Sequence, residues 1–413
     1  MLMQVKRKVK SVVKKKILML GGSTQQVIAI ETAKKIGFYT VLCDYLSDNP
    51  GQYIADKFYL VSTIDKESVL RVAQYEAIDG VIAYASDPAA PTAAYVAEKL
   101  GLPGNPYECV EILCNKDLFR SFLLNSGLNA PQSCSYSCIK EIVTDAHRFS
   151  FPIIVKPVDS SGSKGATVIN GFSELEEAAE FAFTFSRCHR IIIEEFIERK
   201  SPYLIGGDIF VYNGKVILWG LMNCHRDSCV NPLVPVGKSY PPMLEAADLE
   251  HVKEDLQTMV DKLHFKTGAM NIEIIIDKNG RVLPIDAGPR NGGNMIPDLL
   301  GLIFNTDVVE MTIRAAMGMP IMMPGSASSA FYATYNLHTA QTGYFEGVNY
   351  SNRIRKYIYK KYIYKKPGDK VEYFDNAGKA IGIVFMKFDD QVTMMDILEE
   401  IQNHIYVEVR LAR

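Results

Sequence analysis

Over the first hundred residues, apolar runs alternate with stretches of helical spacing. "KKILMLGG", residues 15–22, predicts a buried strand ending in glycines. "QQVIAIETAKKIG" predicts a helix that stops at Gly37, and "FYTVLCD" a second strand ending at Asp44. "KESVLRVAQYEAI", "DGVIAYAS" and "APTAAYVAEKLGLPG" continue as helix, strand and helix. Alternation of this kind predicts a mostly parallel sheet covered on both faces, an α/β domain over 15–113.

The pattern changes at residue 114. Lys116 opens a helix in "NKDLFRSFLLNSGLNAP" that Gly127 ends. "FPIIVKPVDSSGSKGATVI" predicts a short strand, a glycine-serine loop and another strand. Ser173 is placed to cap the helix of "SELEEAAEFAFTF". "HRIIIEEFIE" is a buried strand running into acids, and "GGDIFVYNGKVILWGLMN" a hairpin turning at Asn213-Gly214. With the amphipathic helix of "DLEHVKEDLQTMVDKLHF", these elements predict an α+β domain over 114–320. Strands in "GYFEGVNY", "RKYIYKKYIYKK" and "GIVFMKFDD", with a helix in "TMMDILEEIQNH", predict a C-terminal α+β domain over 321–413. The Lys/Tyr alternation reads as a strand with one wet face.

Composition narrows the function. A chain of 413 residues, 48% hydrophobic, is large enough for two or three domains. The net charge of -2 gives no general preference for nucleic acid or a membrane surface, and no apolar run is long enough to span a membrane. The exception is the basic extension 1–14, which reads as a solvated tail. Eight scattered cysteines lack a paired metal-binding pattern and fit a reduced, cytoplasmic protein. Gly21-Gly22 precedes a helix, but "GGSTQQ" is not the dinucleotide pattern, which disfavours a dehydrogenase.

The candidate chemistry lies in "NIEIIIDKNGRVLPIDAGPRNGGN". Asn279-Gly280 predicts a hairpin turn. A two-residue loop there places Glu273 opposite Asp286, with Asn271 on the same face. Ile272, Ile274, Ile276, Leu283 and Ile285 then point the other way. Two facing carboxylates repel unless a cation sits between them. Either the face is solvated, or it holds a hard divalent ion such as magnesium. Lys156 ends the strand "IIVK", and the loop after it is rich in backbone donors suited to phosphate. Lys116 and Lys164 add positive charge, and Arg290 lies four positions after Asp286.

These residues together resemble the ATP-grasp superfamily, across about 15–320. The resemblance implies carboxylate–amine ligases related to biotin carboxylase and carbamoyl phosphate synthetase. Their fold comprises a pre-ATP-grasp α/β domain, a two-subdomain ATP-grasp core and a further C-terminal domain. It assigns nucleotide contacts to Lys116 and Lys156, and a mobile phosphate loop to Ser160, Ser161, Gly162, Ser163, Lys164 and Gly165. The adenine would meet Glu194 and the backbone of Glu195, Phe196 and Ile197, and the ribose Glu198 or Asp208. Glu273 and Asp286 would carry magnesium, or manganese in its place. The family's Glu-x-Asn-x-Arg appears here as "DAGPR". Gly288 therefore offers no oxygen where an asparagine stands, and Asn291 or Asn294 is left to supply one.

The resemblance further implies that ATP phosphorylates a small carboxylate, favoured to be an amino acid, and that an amine attacks the resulting acyl phosphate. Lys156, Glu273, Asp286 and Arg290 would serve catalysis. Arg226, Arg290, Gly292, Gly293 and Asp87 would line the substrate cleft. Partners would be small carboxylates and amines, with no nucleic acid, and a homodimer as in related ligases. A bicarbonate-using carboxylase like those of biotin or purine pathways, and a nucleotide-binding protein with a decayed site, are the competing readings.

Overall fold

The computed structural model describes residues 14–411, so the basic extension falls outside the described residues except for Lys14. Strands β1 (Lys16–Leu20), β2 (Tyr39–Asp44), β3 (Lys57–Leu60) and β4 (Gly80–Ile82) form a parallel sheet in the order β3-β2-β1-β4. Leu18 and Leu20 enter one core with Val41 and Cys43, while Ile17 and Met19 enter another with Leu42. Burial on both faces explains the uninterrupted apolar runs. The short β3, "KFYL", was not anticipated, because its polar flanks and partial exposure hide the strand pattern.

Strands β5 (Ser133–Tyr136), β6 (Ile153–Pro157), β7 (Thr167–Ile169) and β8 (Ile191–Glu195) form a small antiparallel sheet, ordered β5-β8-β6-β7. The helix Leu175–Phe185 covers one face through Leu175, Ala178, Ala179 and Ala182. The other face carries Lys156 and Glu194.

Strands β9 (Leu204–Tyr212), β10 (Lys215–Asp227), β11 (Asn231–Tyr240), β12 (Gly268–Ile276) and β13 (Val282–Gly288) belong to an eight-stranded sheet. The turn between β9 and β10 is the expected two-residue one, with Asn213 and Gly214 both at positive φ and Tyr212 paired to Lys215. β10 runs on through "CHRD" to Asp227, although that segment reads in sequence as lying beyond a strand end.

After β14 (Phe331–Leu337), the chain forms β15 (Gly343–Tyr350), β16 (Ile358–Ile363), β17 (Lys370–Val371), β18 (Gly382–Phe388) and β19 (Ile405–Leu411). The large sheet has the order β13-β12-β9-β10-β11-β14-β18-β16. Three strands from 331–388 thus extend the sheet that carries Glu273, while β17-β15-β19 form a small sheet of their own. The Lys/Tyr segment is the edge strand β16, with Tyr359, Lys360 and Lys361 exposed.

One face of the large sheet is closed by the helix Ala246–Lys262, through Val252, Leu256, Met259 and Val260 packed on Ile205, Ile209, Ile272 and Ile274. The alternating residues Gly206, Asp208, Asn271 and Glu273 face the other way. At Gly207 the backbone has φ +141°, and a Cβ would fall on the carbonyl oxygen of Gly220 in β10. Gly207→Ala is expected to lower stability by roughly 2–4 kcal/mol, measured by urea denaturation.

Candidate active site

The hairpin β12–β13 places Glu273 opposite Asp286, by a different route from the one its sequence suggests. The turn is one residue longer: Ile276 pairs with Val282, Asp277 N donates to Arg281 O, and Asp277 Oδ1 accepts from Asn279 N and Arg281 N. A bulge between Ile274–Pro284 and Glu273–Asp286 leaves Ile285 unpaired and restores the register. The apolar side chains sort accordingly. Val282 and Ala287 join Ile272, Ile274 and Ile276 in the core, while Ile275 and Ile285 face the cleft. Leu283 pairs with Ile275, and so does not share a face with Ile272, as the two-residue loop predicts.

Basic groups surround the acid pair. Lys116 Nζ lies 3.6 Å from Asp286 and donates to the Ser160 carbonyl at 2.8 Å. Arg226 Nη2 is 3.3 Å from Glu273 Oε1. Burial pushes the Asp286 carboxyl pKa upward, but Lys116, Lys156 and Arg290 outweigh it and hold the group below the usual carboxylate value. It is ionised at neutral pH and opens to the cleft, with 44% of its side chain exposed.

Lys156 and Glu194 form a second cluster, together with Arg120, which sequence reading missed. Glu194 is 2.6 Å from Lys156 and 2.9 Å from Arg120 Nε, and Arg120 Nη2 also donates to the Ile285 carbonyl. The signal for Arg120 was its place in "NKDLFR", one helical turn after Lys116. One carboxylate shared by two cations leaves a surplus positive charge. Burial, with repulsion from Arg120 and Lys116, lowers the Lys156 pKa despite Glu194.

Two cavities meet at Glu273 and Asp286. The first, about 200 Å³, is lined by Lys116, Lys156, Lys164, Arg199 and Arg226 against only those two carboxylates. Its apolar wall includes Ile154, Phe196, Ile197, Leu204, Ile275 and Ile285. The second, about 260 Å³, adds Gln25, Asp87, Lys238, Arg290, Asn294 and Asn336. The loop residues Ser161–Lys164 border both. Ser163, at φ +62°, donates through Oγ to the Leu233 carbonyl of β11 at 2.8 Å.

Several expected positions fall elsewhere. Glu194 is 2% exposed and lies at ion-pair distance from Arg120 and Lys156, with its Oε1 making no hydrogen bond. Phe196 and Ile197 line the first cavity; the Glu195 side chain accepts from Gln132 N, and its backbone N donates to the Gln132 carbonyl. Glu198 points outward and pairs with Lys278, and Asp208 is buried against Gly292 N and Asn271 Nδ2. Ser160 lines the first cavity, while Gly165 packs against Phe185 and Pro157. Arg226 sits in the first cavity beside Lys156 and not in the second. Asn291 is fully buried and lines a separate cavity, away from the acid pair. Asn294 and Gly293 line the second cavity, and Gly292 with Gly293 a further one.

Arg290 is tied to the loop that follows β4 of the N-terminal sheet. Its Nε donates to Asp87 Oδ1 at 2.7 Å, its Nη2 bonds Asp87 Oδ2, and its Nη1 reaches the Asn291 carbonyl. Burial acts against its charge, but Asp87 raises its pKa further above the usual arginine value. Gly288 is part of this arrangement. A Cβ there would fall on Asp87 Oδ1 and stand 3.1 Å from Arg290 Cζ. The space an asparagine side chain would need is filled by the Asp87 carboxylate.

The donor set suits a magnesium ion. Two carboxyl side chains, Glu273 and Asp286, sit opposite each other beside an open cleft, and magnesium takes its remaining ligands from phosphate and water. Among the described residues, no group of three or more His, Cys, Asp or Glu side chains forms a closed metal cage.

Residues 149–298 match the family model of the ATP-grasp domain. The matched segment is an ATP-grasp domain within the chain. The chain is 26% identical over 313 residues to a formate-dependent phosphoribosylglycinamide formyltransferase of Bacteroides thetaiotaomicron, covering 74% of this chain and 78% of the relative. Its fold is similar to the L-amino acid ligase of Bacillus licheniformis, with TM-score 0.81, 19% identity and coverage of 96% and 99% of the two chains. It is also similar to the phosphoribosylglycinamide synthetase of Anaerococcus prevotii, with TM-score 0.74, 20% identity and coverage of 96% and 100%.

Glu194 makes the ATP-grasp core acid-sensitive. Burial alone would raise its pKa, but Arg120 and Lys156 bring it from 4.5 down to about 2. A depressed folded-state pKa gives stability that is present above the unfolded value and lost as pH falls through the folded one. The stability difference between the wild type and Glu194→Gln is therefore expected to be full above about pH 4.5 and to shrink toward pH 2, read from urea midpoints across that range.

Proposed function

We propose that the protein is an ATP-dependent carboxylate–amine ligase. The observation that carries this reading is the first cavity: five basic side chains and two facing carboxylates beside an apolar slot. A polyphosphate balances that charge, and a planar base fits the wall of Phe196, Ile197, Leu204 and Ile285. The second cavity opens from the same acid pair and suits a small carboxylate.

In this reading, Lys116, Lys156 and the backbone of Ser160–Lys164 hold the phosphates, with Arg226 beside Glu273. Glu273 and Asp286 would hold magnesium, which would align the phosphates and offset their charge. A substrate carboxylate oxygen attacks the γ-phosphorus, the bond to the β–γ bridging oxygen breaks, and ADP leaves. The amine then attacks the acyl carbon and loses a proton, and phosphate departs. Arg290, held by Asp87, places fixed positive charge at the border of the second cavity, where it stabilises the developing phosphoryl charge. The 160–165 loop, bridging both cavities, excludes water that would hydrolyse the acyl phosphate. Eight unpaired cysteines and a need for ATP support a reducing compartment, the cytoplasm, as part of this reading.

The test is an ATP-dependent screen of carboxylates paired with amines, including formate, bicarbonate and amino acids, with product masses recorded. A carboxylated product with bicarbonate would favour the carboxylase reading. ATP binding with no phosphate release from any pair would favour a decayed site. Glu273→Gln and Asp286→Asn are expected to lower turnover at least about 100-fold with little change in thermal stability. Equal losses of folding and activity would assign the two acids to structure. Lys156→Ala is expected to weaken ATP binding by about 10-fold or more, measured by calorimetry.

A further inference from the structure

The ladder between β10 and β11 breaks beside the 160–165 loop. Arg226 pairs with Pro235, but the next residue, Asp227, pairs with Asn231. Pro232, Leu233 and Val234 therefore have no opposite residue on β10. Leu233 is the residue whose carbonyl receives Ser163 Oγ, and Pro232 and Leu233 both line the first cavity. The seat of the loop is thus a stretch of backbone that pairing with β10 does not fix.

Side chains from the region after residue 330 hold it instead. His338, just after β14, places Nε2 3.0 Å from Asp227 Oδ2 and Nδ1 2.7 Å from the Asn336 carbonyl. Asp227 Oδ1 accepts from Cys229 N at 2.9 Å. Farther round the turn, Tyr373 donates to the Val230 carbonyl and Asn231 Nδ2 to the Asp375 carbonyl, while Asn231 Oδ1 accepts from Leu233 N. Phe374, fully buried, packs on the His338 ring with 4.7 Å between centroids.

The contact between His338 and Asp227 is the one shielded from water. The two side chains are 3% and 5% exposed, whereas the Tyr373 and Asn231 contacts lie at the surface. Both ring nitrogens of His338 meet acceptors. A carbonyl has no proton to give, so Nδ1 donates to Asn336. The contact to Asp227 then holds a second proton, carried by the ring or by the carboxyl, and neither form leaves an uncompensated charge. Removing the ring strands a buried carboxyl, which is costly.

We propose that His338 is a positioning residue for the 160–165 loop. Through Asp227 it fixes the β10–β11 turn on which Ser163 rests, and so sets how tightly residues 161–164 wall the two cavities. The catalytic consequence rests on the ligase reading: the C-terminal region takes part in keeping water from the acyl phosphate.

Hydrogen exchange by mass spectrometry on the full chain without ligand tests the coupling. In His338→Leu, exchange of peptides covering 227–234 and 160–166 should rise about 10-fold or more, with the helix Ala246–Lys262 unchanged. His338→Gln, whose amide nitrogen can replace Nε2 against Asp227, should recover most of the protection. If His338→Leu does not fold, His338→Asn, whose short polar end falls short of Asp227, gives the same test. Ser163→Ala should loosen 160–166 by itself, and adding His338→Leu should loosen that segment no further. Unchanged protection of 160–166, additive loosening in the double variant, or exchange that rises evenly through the chain overturns the proposal. For a carboxylate and an amine that the wild type joins, His338→Leu should raise the ADP released per product joined at least about 3-fold, and His338→Gln should restore the ratio. A lower rate with an unchanged ratio overturns the catalytic consequence. Loop exchange that follows His338 in a protein with no turnover keeps the positioning and removes the ligase reading. Turnover with a loop indifferent to His338 does the reverse.

Discussion

Two carboxylates held across adjacent strands repel one another, and much of the surrounding structure offsets that repulsion. Lys116 comes from a helix, Arg226 from β10, and Lys156 and Arg120 arrive with their own acid, Glu194. The cations outnumber the anions in the first cavity, so the protein alone is left with unbalanced positive charge. Packing fixes these groups on strands and on a helix start, so little rearrangement is needed when an anionic ligand arrives.

The alternation of apolar and polar residues made the parallel sheet of the first hundred residues and the hairpin at Asn213-Gly214 legible. It also paired Glu273 with Asp286, although the physical reason differed. A longer turn and a bulge at Ile285 cancel in the register of the acids but not in the sorting of Leu283 and Ile285. Loop length and bulges depend on side-chain capping by Asp277 and on packing against β9, which periodicity does not carry. For the same reason, strands from 331–388 look like the start of a separate unit in the sequence. Their place beside β11 is a long-range pairing that no local pattern encodes.

The candidate site was legible where chemistry and local structure coincide, as with Lys116, Lys156, the glycine-serine loop and the acid pair. It was not legible where residue type alone suggested a role. Glu194, Glu198 and Asp208 are acids near the expected pocket; two are buried beside polar partners and one faces outward, which residue type does not tell apart. Arg120 and Lys238 were missed because a basic residue in sequence is ordinarily a surface residue. Only the fold reveals that both are buried. Gly288 looked like a loss. In three dimensions it is the clearance that lets Asp87, from the loop after β4, reach Arg290.

The segment Ser161–Lys164 forms a wall of both cavities at once, pinned to β11 through Ser163. A shared wall cannot shift for one occupant without reshaping the room left for the other. The affinities of the two ligands are thereby thermodynamically linked. Whichever molecule is bound changes the room left for the other, and by the same factor in either order.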